Sequence, residues 1–91
     1  ALDLSNANLT GCRLINLDIQ SSLENASLRD CYCKNLILAH SNIQGVDFRG
    51  AKIKECNFFG YSGNSEEILR SLKFSFADVE FIRDLDILSI K

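Results

Sequence analysis

Bulky apolar residues recur along this chain at every fifth position. Leu4, Leu9, Leu14 and Ile19 make one run, and after a single dropped residue the series resumes at Leu23, Leu28, Cys33, Leu38, Ile43, Phe48, Ile53 and Phe58. Two positions before these stands a second apolar or small class: Ala7, Cys12, Ala26, Cys31, Ser41, Val46, Ala51 and Cys56, with Leu2, Leu17 and Leu36 as larger members. A helix repeats its apolar face about every 3.6 residues and a strand every second one, so neither explains a period of five held over about twelve units. The period predicts a solenoid in which the central and the small residue of each unit both point into a narrow tube. One must be bulky and its neighbour compact to fill that tube without voids.

Ala7-Asn8-Leu9-Thr10-Gly11, Ala26-Ser27-Leu28-Arg29-Asp30 and Val46-Asp47-Phe48-Arg49-Gly50 show the unit most fully: a small residue, a polar one, Leu or Phe, then two more polar positions. This pattern, over roughly residues 1–60, resembles the pentapeptide-repeat family. The resemblance implies an all-β solenoid, a right-handed quadrilateral β-helix with four units to a turn. Leu17 and Leu36 depart from the family's small residue, and Cys33 departs from its central Leu or Phe. Twelve units make about three turns, and stacking at the inter-strand distance gives a tube about 14 Å long. Solenoid ends need caps because open ends expose core and unpaired backbone.

Residues 1–60 are therefore read as the β-helix and residues 61–91 as a C-terminal cap, mainly helical. Tyr61-Ser62-Gly63-Asn64 is turn chemistry. Ser65 suits a helix N-cap, with Glu66 and Glu67 in the first turn, Arg70 and Lys73 near the end, and Ile68, Leu69 and Leu72 on one face. From Ala77 to Lys91 the spacing of Val79, Phe81, Ile82, Leu85, Leu88 and Ile90 fits a second amphipathic helix, while the β-branched content leaves a strand open.

Stacked turns align outward side chains in columns, which sorts the charges. One side collects Arg13, Ile15, Tyr32, Lys34, Lys52 and Lys54, and the preceding side adds Arg29 and Arg49, so six of the ten basic residues fall on two adjoining sides. Asp3, Ser5, Ser22, Glu24, Asn42 and Gln44 make another side mildly acidic, and the last carries Asp18, Ile37, Ala39, Asn57 and Phe59. The basic columns, with Tyr32 as an anchor, suit an anionic partner such as an acidic protein surface or a phosphate. The bland alternative is a solvated side whose like charges keep it from sticking to other sheets. Ile37 and Phe59 are candidates for a partner or dimer contact, with packing of residues 61–91 on that side as the alternative.

The remaining composition mostly excludes. With 91 residues, 46% hydrophobic and 24% charged, at a net charge of -2, the chain is one domain at most, and neither a nucleic-acid binder nor a polyanion mimic is expected. No apolar run is long enough to span a membrane, and the start lacks signal-peptide character. Opening on Ala1 rather than Met is expected of a processed product or of a fragment of a longer protein. Cys12, Cys31, Cys33 and Cys56 all take inward positions, which predicts reduced core thiols and a reducing compartment, with oxidation of the Cys12 and Cys31 pair conceivable. His40 sits alone at a corner, Cys31-Tyr32-Cys33 has no metal-knuckle spacing, and no phosphate loop or nucleophile elbow is present. Asn8-Leu9-Thr10 and Asn25-Ala26-Ser27 match the glycosylation pattern, which an Asn-rich repeat generates freely.

No enzyme, cofactor, metal or small-molecule substrate is expected. The expected function is a non-catalytic protein-interaction module in a larger protein, cytoplasmic or delivered into a host cytosol. The resemblance implies this through family segments that serve as binding domains, including in bacterial effectors. Two alternatives stand: a DNA-mimicking topoisomerase regulator, which some family members are, and a purely structural or dimerising domain acting through residues 61–91.

Overall fold

The computed structural model describes residues 3–58 and 66–80. Strands β1 (Arg13–Asp18), β2 (Tyr32–Ile37), β3 (Lys52–Lys54) and β4 (Asp78–Glu80) form one parallel sheet in chain order, and a one-turn helix, α1 (Glu66–Arg70), lies between β3 and β4. A parallel sheet in sequence order, built on pentad units, is a β-helix. Arg13 lies beside Tyr32 and Tyr32 beside Lys52, so the first circuit is one residue shorter than the second. That shortening is the residue dropped from the pentad pattern. A second line of bridges, Asn8 to Ser27 to Asp47, keeps the same register elsewhere on the circuit.

A five-residue unit cannot satisfy its amides within itself, so they reach to the next circuit. Leu4 N–H donates to the Ser22 carbonyl (2.9 Å), Leu23 to Asn42 (2.8 Å), Leu28 to Asp47 (2.8 Å) and Phe48 to Lys73 (2.8 Å). Bonds of the opposite sense come back, Ser27 N–H to Ala7 and Asp47 N–H to Ala26. The inward columns then follow from register: Leu9, Leu28, Phe48 and Phe74 in one, Leu14, Cys33, Ile53 and Val79 in another. Leu23, Leu28, Cys33, Leu38, Ile43, Phe48, Ile53 and Phe58 are all buried. Fully burying a side chain of this size is worth about 1.5–3 kcal/mol. Leu4, Leu9, Leu14 and Ile19, in the first circuit, are half-buried against them. Leu17 departs from its expected inward place and is 42% exposed, whereas Leu36 in the same column is buried one circuit further in.

Each corner is closed by an amide bonding three residues back, as Ala7 to Leu4, Ala26 to Leu23 and Ala51 to Phe48. The chain turns through left-handed backbone at Asn6, Asn25 and Gly45, and again at Gly11, Asp30, Gly50 and Phe76. Asn, Asp and Gly tolerate that conformation at least cost. At Gly50 a β-carbon would lie 2.3 Å from Asp30 Oδ1 in the circuit below, while at Gly11 nothing lies within 4 Å.

The tail departs from the expected arrangement. The helix stops at Arg70, and Lys73 belongs to the coil, bridging to Asp47. Lys73 N–H donates to Val46 and its carbonyl accepts from Phe48, demands of the circuit below that a continuing helix cannot meet. Gly45 N–H, facing the point where the chain returns, bonds the Ser71 hydroxyl at 2.8 Å. Phe74 stacks on Phe48 (centroids 5.4 Å apart, 4° between planes) and lies 6.3 Å from Phe58. Asp78–Glu80 form a strand, the alternative left open for this stretch, while 81–91 lie outside the described residues. Lys52 pairs with Asp78, so this circuit is six residues longer than the one before, the excess lying in the excursion that contains α1.

Two expectations follow. Gly50→Ala destabilises more than Gly11→Ala in urea melts: both incur the left-handed penalty of about 1 kcal/mol, and only Gly50 adds a clash. Phe74→Ala lowers stability by about 2 kcal/mol or more, because it removes a ring from a stacked trio. A neutral result there means that residues 71–80 contribute nothing to the core.

Candidate functional site

In the first three residues of β1, β2 and β3 the side chains point out, in and out, before the backbone turns at Asn16, Asn35 and Glu55. Leu14, Cys33, Ile53 and Val79 go to the core, which leaves two outward columns: Arg13, Tyr32, Lys52, Asp78 and, two residues on, Ile15, Lys34, Lys54, with Glu80 at the next register position of the second. Arg13, Lys34 and Lys52 are exposed, and Tyr32 and Lys54 are half-buried. The Arg13 guanidinium carbon sits 4.9 Å from the centroid of the Tyr32 ring, a cation–π contact between circuits that holds both side chains against the sheet. Five of the predicted residues, Arg13, Tyr32, Lys34, Lys52 and Lys54, thus share one surface.

The columns do not end on a cation. Asp78 and Glu80 occupy the register positions beside Lys52 and Lys54. A helical reading of this stretch hid them. The available signal was Ala77-Asp78-Val79, which repeats the small, polar, apolar order of the earlier units.

The adjoining side differs from expectation. Arg49 is bound to Asp47 through both carboxylate oxygens, at 2.6 Å from Nη2 and 2.9 Å from Nε. The hydrogen bond from Arg49 is the main cause holding the Asp47 carboxyl below its ordinary value, and the Arg29 charge adds to it. Arg29 is exposed, and Arg49, its side chain 42% exposed, has Nε and Nη2 committed to Asp47.

Of the apolar side, Ile37 is half-buried between Asp18 and Asn57 in register, and Ala39 is only 1% exposed, so it offers no open surface. Phe59, and most of the stretch 61–91 expected to dimerise, lie outside the described residues. His40 is held at its corner by Asp18 of the preceding circuit, Nδ1 to Oδ1 3.0 Å, and this bond and one from Gln20 keep the Asp18 carboxyl below the usual range. Phe76 is the most exposed large apolar side chain described, at 96%.

None of the four cysteines is in a disulfide. Cys31 donates to the Leu9 carbonyl (2.8 Å) and Cys56 to that of Lys54 (3.4 Å). Burial pushes the Cys33 thiol up to about 12 and the Cys56 thiol to about 11. A thiol that stays protonated is neither nucleophile nor metal ligand. Among the described residues no three of His, Cys, Asp or Glu converge as a metal site, and no helix is long and apolar enough to cross a membrane.

Residues 21–58 match the family model for pentapeptide repeats, in eight copies. A comparison with curated proteins found no match. The parallel register reaches past the matched segment on both sides, to Asn8 and to Asp78.

The buried thiols set an alkaline limit. Their folded values are raised, so the stability they contribute is complete below the ordinary thiol value of 9.0 and is lost as pH rises towards 11 and 12. Thermal melts are expected to be level across neutral pH and to fall above about pH 9. A thiol reagent is expected to modify half-buried Cys12 first, and Cys33 and Cys56 only on unfolding.

Proposed function

We propose that this pentapeptide-repeat protein is a non-catalytic protein-interaction module that presents one side of a four-sided coil to a protein partner. Pentapeptide-repeat proteins are generally structural or interaction proteins without catalytic activity. The thiols of Cys31, Cys33 and Cys56 are buried in the core, and His40 is tied to Asp18.

One observation carries the choice of surface: Arg13, Tyr32, Lys34, Lys52 and Lys54 stand in register on parallel strands whose inner side is packed. Their spacing is therefore set by backbone hydrogen bonds and not by flexible loops. A partner meets a preorganised array, which lowers the ordering cost of association. The arrangement suits a module within a larger protein in a reducing compartment, where the core thiols stay reduced.

The test is affinity capture from cell lysate, with mass spectrometry, comparing the natural chain with a variant carrying Ser at Arg13, Lys34, Lys52 and Lys54. The variant is expected to melt as the natural chain does, since all four side chains lie outside the core, and to lose a specific protein that the natural chain retains. Equal capture by both would show the columns to be a solvated side only.

A further inference from the structure

The proposed interaction surface carries a direction in its charges, and this tells what its partner looks like. Rows succeed one another along the coil axis at about 4.8 Å, and the two columns stand about 7 Å apart. The first row is Arg13 and Ile15, the second Tyr32 and Lys34, the third Lys52 and Lys54, and the fourth Asp78 and Glu80. Four cations therefore occupy an area of about 10 by 7 Å, and Asp78 and Glu80 hold the next register positions towards the C-terminal end of the coil.

We infer that this surface takes a short acidic peptide segment lying along the coil axis, whose acidic residues are followed by basic ones that meet Asp78 and Glu80. The inference rests on the protein-interaction reading above and adds the partner's charge order to it. Charge complementarity selects the occupant. A run of carboxylates over the first three rows meets a cation in each, and the same run extended over the fourth meets like charge. Such juxtaposition is what suppresses wrong partners at interfaces. A nucleic-acid strand suits the surface less well, because its phosphates continue past the cationic area and onto the acidic row, on a chain of net charge -2. Tyr32, pinned under Arg13, supplies the apolar contact near the centre that a peptide uses and a free phosphate does not.

Fluorescence anisotropy with two labelled peptides of one composition tests this. One carries a block of glutamates followed by lysines, and the other carries the same residues in alternation. The blocked peptide is expected to bind about tenfold more tightly, and to weaken about tenfold or more between 50 and 500 mM salt. Asp78→Ser with Glu80→Ser is expected to erase the preference for the blocked order, and Lys34→Ser with Lys54→Ser to abolish binding. Circular dichroism melts verify that both variants fold. Equal binding of the two peptides overturns the inference, as does tighter binding of an RNA oligonucleotide of matched charge. If neither peptide binds while lysate capture still depends on the four basic residues, the inference falls and the interaction reading stands. If capture is also indifferent to those residues, both fall.

Discussion

The hydrogen bond from one circuit to the next is the constraint on which the rest depends. Apart from the amides that close the corners, a pentad side has no hydrogen-bond partner within its own unit, so each stacked amide reads the position of a residue one circuit away. Leu28 N–H meets Asp47, and Phe48 N–H meets Lys73, whatever number of residues lies between. Once that ladder is set, inner residues form columns that fill the tube and outer residues form columns that face the solvent. A shortened circuit before Tyr32 and a lengthened one before Asp78 change the chain length consumed, and leave the columns intact.

The corners are the price of this economy. Each circuit passes through left-handed backbone at Asn, Asp or Gly in most cases, and these positions also stack. Asn25 lies under Gly45, and Asp30 lies under Gly50, each with its side-chain oxygen occupying the space a β-carbon would need. Asn35 donates to Asn16 across the same gap at another corner (2.9 Å). Glu55 and Phe76 are the exceptions, and Phe76 is a bulky side chain, 96% exposed, in a conformation that favours glycine.

Charge follows the same geometry. Basic residues far apart in the chain become neighbours because they share a parity and a register, and the acids at Asp78 and Glu80 join them for the same reason. Asp47 and Arg49 show the opposite outcome: two residues of one unit, on the same outward side, bind each other. A cation counted on a face is available to a partner only if its own unit does not already hold it.

The pentad period by itself determined the coil, the inward columns, the burial of Cys31, Cys33 and Cys56 and the grouping of Arg13, Tyr32, Lys34, Lys52 and Lys54. All of these depend on position within a repeat, which is local information. The pattern failed where the coil was interrupted. Leu72, Phe74, Ala77 and Val79 keep pentad spacing among themselves, but the excursion through α1 shifts them by six residues. The hydrogen bonds of Phe48 and Gly50 to Lys73 and Ser75, and the pairing of β3 with β4, show that they continue the tube. Exposure was likewise a tertiary decision. Leu17 and Leu36 are equivalent in the repeat, yet one is buried and the other open, because burial depends on which circuits lie on either side.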